Sequence, residues 1–213
     1  MALGKQKFED KNTTAYSVAF KKDKKTGKSA FVVSKRQENG KFEVVDTVSD
    51  LSGSLIKVEQ KVTEWEGKKI ESVLVTLKDT TETGSELYFV SFPFGIATRS
   101  LFNAMLSLKS FDNLSIGAYM TKPKTEGGKS YPAIALRQNG EVIRWKYELK
   151  DLPPVKEIVF KGDKMRDYTD TDKFFVDQLA ELNKQIHVKK EAVVATPAEP
   201  VTEPLGKEDD PPF

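Results

Sequence analysis

The sequence contains no cysteine, which excludes disulfide scaffolds, thiolate nucleophiles, iron–sulfur clusters and Cys-ligated zinc. Its one histidine, His187, rules out His-rich metal sites and leaves imidazole catalysis almost no material. No apolar run approaches the ~20 residues that a membrane-spanning helix needs. No cationic start leads into an apolar segment of the secretory kind. The phosphate loop GxxxxGK(S/T), the GxSxG elbow and HExxH are likewise absent, so none of the common catalytic signatures is available. With 213 residues, 38% hydrophobic and 10% aromatic, the chain still has enough material for a sizeable core. The expectation is a cytoplasmic, non-enzymatic protein with no cofactor, no metal and no membrane association.

The net charge of +2 hides two unlike parts. Residues 188–213 carry Lys189, Lys190 and Lys207 against Glu191, Glu199, Glu203, Glu208, Asp209 and Asp210, so this stretch stands at −3 and residues 1–187 at +5. Five prolines and low apolar content mark 188–213 as a disordered acidic tail, and 1–187 as one domain. A basic body with an acidic tail points toward nucleic-acid contact, although solvated lysines also serve solubility alone.

Along the body the dominant period is two. Tyr16, Val18 and Phe20 alternate with small residues, a lysine-rich loop follows at 21–28, and strands at 29–36 and 41–48 flank the hairpin dipeptide Asn39-Gly40. This predicts an N-terminal β-ribbon with a cationic loop. Strands are then predicted at 54–65, 69–79 and 86–92. Leu101, Met105 and Leu108 change the period to that of a helix over 98–109. Strands return at 114–121 and 131–138, and Asn139-Gly140 turns into another at 141–147. Three strands, a helix and two strands is the order of the OB-fold, a five-stranded barrel that grips oligonucleotides or sugars. A short strand at 155–160 and a helix over 172–187, with Phe175, Leu179, Leu182 and Ile186 on one side, complete the domain.

Two features raise the question of chemistry and then dismiss it. Asp163, Asp167, Asp170 and Asp172 are closely spaced, but not as in a calcium loop, and Asp170 or Thr171 as helix cap with Asp172 in the first turn explains the last of them. His187, near the predicted end of its helix, is explained by the helix dipole.

Aromatics interleaved with cations are more informative. Unpaired nucleic acid is held by cations that replace counterions along the phosphates and by rings that stack on bases. In an OB-like barrel the contacts come from the middle strands and from the first and fourth loops. The first loop carries Trp65, Lys68 and Lys69; the fourth carries Lys122, Lys124, Lys129 and Tyr131, with Tyr119 just before it. Tyr88 stands on the third strand, and Arg144, Trp145 and Lys146 repeat the alternation at the barrel's end. Phe89, Phe92 and Phe94 divide between core packing and this surface.

The chain ends Glu208-Asp209-Asp210-Pro211-Pro212-Phe213. A terminal ring can fill an apolar pocket while the carboxylates meet a basic rim, and prolines lower the entropy lost on docking. Asp209, Asp210, Pro212 and Phe213 resemble the C-terminal tip of bacterial and phage single-stranded DNA-binding proteins. Glu208 fits more loosely, and Pro211 stands where the bacterial tip usually has an aliphatic residue. The resemblance to the phage-encoded members is one of plan: one OB barrel with additions, a short tail and an acidic aromatic end. It implies coating of single-stranded DNA in replication, recombination or repair, with the tip recruiting partner proteins, and it leaves homo-oligomerisation open. The competing reading is an OB-fold module for RNA or protein.

Overall fold

Most of the alternations of period two become strands that turn apolar side chains toward one core, but Phe42, Val44 and Val45 of the third strand stay exposed. The structure, a computed structural model, describes residues 13–22, 28–123, 128–160 and 163–194. Three N-terminal strands, β1 (Thr13–Lys22), β2 (Ser29–Arg36) and β3 (Phe42–Val48), precede the long β4 (Asp50–Trp65). Next come β5 (Lys68–Thr81), β6 (Gly84–Pro93) and α1 (Ile96–Met105), followed by β7 (Leu114–Met120), β8 (Pro132–Gln138) and the two-residue β9 (Glu141–Val142). A short 3-10 turn, Leu149–Asp151, leads to β10 (Lys156–Phe160), β11 (Asp163–Asp167) and α2 (Thr169–Val194).

Nine strands form one mixed sheet in the order β3-β2-β1-β6-β5-β4-β7-β8-β9, while β10 and β11 pair separately. The ladders β4–β5, β5–β6, β4–β7 and β7–β8 are all antiparallel. Among the described residues β6 and β8 share no ladder. The edge of β6 that would close a barrel is taken by β1, in parallel, from Thr13 against Ser85 to Ala19 against Ser91. A strand has only two edges, and β5 holds the other. The expected closed five-stranded barrel is therefore replaced by an open nine-stranded sheet, and the N-terminal ribbon is an integral part of it.

The sheet bends where β4 changes partners. Asp50–Gly53 pairs with β7, and Ser54–Trp65 pairs with β5. Gly53 sits at the change with φ +149, and a Cβ there would lie 2.7 Å from the Lys78 carbonyl oxygen, so only glycine allows the two strands to approach this closely. The two wings fold over a core that includes Phe31, Leu55, Val75, Phe92, Phe102 and Ile116.

Helix α2 covers the core beside β4 and α1. Phe175, Leu179, Leu182 and Ile186 are all buried, each worth ~1.5–3 kcal/mol of apolar burial. Asp172 takes a two-point hydrogen bond from Arg99 of α1, at 2.6 and 2.8 Å, and the guanidinium lies 4.0 Å over the Tyr168 ring. Asn183 accepts from the backbone N–H of Val58, where a bulge disturbs the β4–β5 ladder.

Several sequence expectations are corrected here. Helix α2 begins at Thr169 and extends to Val194, past both ends of the helix expected over 172–187. His187 lies inside the helix, more than a turn from its end, and dipole stabilisation fades over that distance. The strand expected at 141–147 stops at Val142, and α1 begins and ends earlier than 98–109. The clustered aspartates have separate partners: Asp167 accepts from Thr169 at the start of α2, Asp170 pairs with Lys156, and Asp172 with Arg99. Among the described residues no helix is long and apolar enough to cross a membrane. The cationic loop 23–27, Lys124 and the tip Glu208, Asp209, Asp210, Pro211, Pro212 and Phe213 lie outside the described residues.

Candidate nucleic-acid interface

Where β6 would have closed onto β8, a groove of about 940 Å³ remains. One wall comes from the end of β6 and the start of α1, through Pro93, Phe94, Gly95 and Ile96, with Phe20 of β1 alongside. The other comes from the ends of β7 and β8, through Tyr119, Lys122, Lys129 and Tyr131. Ile134 and Leu136 lie beneath, and Val142 and Trp145 stand at the rim. Tyr119, Tyr131 and Trp145 expose 47%, 61% and 50% of their surface. Exposed rings of this size gathered on one concavity mark a binding surface rather than scattered surface apolarity.

Local hydrogen bonds fix the backbone on either side of Tyr131 and Trp145. The base of the β7–β8 loop is locked twice, by the Thr121 N–H donating to the Tyr131 carbonyl and by the Tyr131 N–H donating to Thr121 Oγ1, both at 2.9 Å. Trp145 is held through its neighbours. The buried side chain of Asn103 on α1 accepts from the N–H groups of Lys146 and Tyr147, and donates to the Tyr147 carbonyl at 2.8 Å. This capture of the backbone stops β9 early and turns the chain so that Trp145 sits beside the groove. Phe94 packs edge-on against Phe102, ring centres 5.7 Å apart, which anchors the opposite wall.

The electrostatics have one sign. Among the described lining residues the only charged side chains are Lys122 and Lys129, and neither makes an ion pair with a described residue. Arg144 and Lys146, both exposed, flank Trp145. The N-terminal end of α1 opens on the groove with no side-chain cap and no acid in its first turn, so its unbonded N–H groups add partial positive charge. The short hydroxyls are already engaged: Thr98 donates to the Pro93 carbonyl at 2.8 Å and Ser100 to that of Ile96 at 3.2 Å. What the groove offers a ligand is rings, aliphatic surface and ammonium groups.

The remaining sequence candidates fall elsewhere. Tyr88 faces the core side of β6, stacked on Tyr16 with ring centres 5.4 Å apart, and donates its hydroxyl to Glu86. Tyr16 donates to the same carboxylate. Burial first, then the bond to Glu86, raises the Tyr88 pKa well above its ordinary value, and burial with the Glu86 charge raises that of Tyr16. Lys68 and Lys69 lie at the tip of the β4–β5 hairpin, beyond the last β6 pair of Ser72 with Pro93. Four further residues carry this hairpin roughly 13 Å past that point. Glu64 stands directly opposite Lys69, and Glu66 and Glu71 are close by in sequence, so the tip is not a cationic clamp. The backbone of Trp65 pairs with Lys68 at the tip; its side chain lies outside the described part of the structure.

The sequence does not single out Phe20, Ile96 or Asn103, and it leaves Phe94 divided between core and surface. Phe94 and Ile96 carry a legible signal, an apolar pair around Gly95 immediately after a strand. Asn103 carries none, because its role depends on a segment 43 residues away. Comparison with protein-family models, with curated proteins and with solved structures finds no match to this chain.

Proposed function

We propose that this chain is a sequence-tolerant single-stranded DNA-binding protein, acting by binding rather than catalysis, whose body is an opened variant of the OB plan. The order β4–β5–β6–α1–β7–β8 and the β4–β7 ladder support that plan, with β1 standing in for the closing pair. In this reading Tyr119, Tyr131 and Trp145 stack on bases, and Lys122, Lys129, Arg144 and Lys146 neutralise phosphates. The acidic tip engages proteins of replication, recombination or repair. The observation that carries the reading is the convergence on one open groove of three exposed rings and two lysines, with no ion-pair partner for either lysine and no acid in the lining among the described residues. Stacking contributes ~1–3 kcal/mol per base regardless of base identity, which suits a protein that coats rather than reads.

The test is a titration of intrinsic tryptophan fluorescence with oligo-dT at two salt concentrations, repeated in Trp145→Phe. Binding should quench fluorescence, the quench should be lost in the variant, and affinity should fall as salt rises. Salt-independent binding, or quenching that survives in Trp145→Phe, removes the groove from the site. A stronger response to oligo-U would move the assignment to RNA.

A further inference from the structure

Strand β3 ends the nine-stranded sheet and β11 ends the two-stranded one, so each presents an edge with no partner strand among the described residues. An exposed edge is a template for another strand unless something covers or blunts it. The side chains of β3 from Phe42 to Thr47 are all exposed, and the strand carries the apolar Phe42, Val44 and Val45 with two acids, Glu43 and Asp46, and no base. On β11 the exposed Met165 lies between two exposed cations, Lys164 and Arg166. Asp163 and Asp167 stand at its ends, the latter engaged by Thr169.

We propose that β11 of one copy of this chain adds, antiparallel, to β3 of a second copy, setting Lys164 opposite Asp46, Met165 opposite Val44 and Arg166 opposite Glu43. The step over Val45 is one that β3 already makes with β2: Val33 faces Asp46, Ser34 faces Val44, and Lys35 faces Glu43. This bulge brings Asp46 and Glu43 to one face and Val44 to the other. On β11 the alternation of a regular strand does the same for the two cations and the methionine. Two opposite-charge pairs therefore share one face and an apolar pair the other, the cross-strand combinations that stabilise sheets. Neighbouring registers are worse. Sliding β11 by two residues one way sets Arg166 against Lys41, and the other way leaves Lys164 against Val48.

The two edges differ, so the contact is head-to-tail. Each copy uses β3 for one neighbour and β11 for the next, and the assembly extends without closing as a two-fold dimer. It does not depend on what occupies the groove.

Sedimentation velocity of the full chain over a range of concentrations tests this. The wild type should show a mass that keeps rising past that of a dimer. K164E/R166E and E43K/D46K should each weaken association by about tenfold or more, since two attractive cross-strand pairs become repulsive. All four positions are exposed, but Lys164 pairs with Glu157 at 3.9 Å and Arg166 stands opposite Glu157. K164E/R166E therefore counts only where its far-ultraviolet circular dichroism matches the wild type, and E43K/D46K, which leaves that hairpin untouched, carries the test otherwise. An equimolar mixture of the two variants should associate again, because each supplies the edge that the other has lost. A wild type that stays monomeric, a mass that stops at the dimer, single variants that associate like the wild type, or a mixture that stays dissociated would each overturn the proposal.

Discussion

Two aromatic clusters of this molecule use the same residue type to opposite ends. In the groove, Tyr119, Tyr131 and Trp145 stand apart with lysines beside them and no carboxylate among the described lining residues. Near the start of β6, Tyr16 and Tyr88 stack on each other and share Glu86. A ring stacked on another ring, with its hydroxyl bound to a carboxylate, has spent both its face and its polar handle inside the fold. A ring in the open with cations at its side has spent neither. Local charge therefore separates an aromatic engaged within the fold from one open to a polyanion, a distinction between Tyr88 and the groove rings that the sequence alone does not draw.

The largest effect is expected at the groove. Tyr131→Ala combined with Trp145→Ala removes two stacking faces, and oligo-dT binding followed by anisotropy of a labelled strand should weaken by at least about thirtyfold. Thermal stability should hardly change, because both rings are largely exposed. In the other cluster the expectations reverse. Tyr88→Phe should leave binding intact and cost about 1 kcal/mol of stability through the lost hydrogen bond to Glu86.

The pH dependence of the same cluster follows from its raised tyrosine pKa values. Below pH 10.0, the ordinary tyrosine value, both hydroxyls are neutral whether the chain is folded or not, and the full contribution is present. As pH rises above it, the unfolded chain loses its phenolic protons first, so stability falls toward the higher folded pKa. Chemical denaturation at successive pH values should show this decline in the wild type and a shallower one in Tyr88→Phe.

Smaller effects belong to the lysines. Lys122→Ala with Lys129→Ala should reduce the slope of log affinity against log salt by about 1.4, two phosphates' worth for a single strand. Lys68→Ala with Lys69→Ala, at a hairpin tip where glutamates offset them, should change the slope least. A larger loss from the tip than from the groove would reverse the ranking of the two regions.

Strand positions were legible because the cues are local. Alternating apolar residues and the turns at Asn39-Gly40 and Asn139-Gly140 place most of the β-structure within a few residues. β11 was missed because Asp-Lys-Met-Arg-Asp has a single apolar residue and its pairing comes from β10. The parallel β1–β6 ladder could not be read at all, since nothing in 13–19 names its partner some seventy residues on. The groove was half legible. Tyr119, Lys122, Lys129, Tyr131 and Trp145 were identified by residue type and loop position, whereas the wall opposite depends on the sheet staying open. The sequence pattern puts Trp145 in the interior of a strand; Asn103, from a distant helix, turns it to the rim.

The bend at Gly53 has a consequence for ligand uptake. The two walls of the groove belong to different wings, and one strand, β4, is common to both. The aperture between the walls thus depends on a backbone angle at a residue that does not line the cleft, together with the packing of α1 on β8. A side chain forced in at Gly53 would press on the Lys78 carbonyl and splay the wings, altering the grip on a strand as a change in a hinge pin alters the closing of a door.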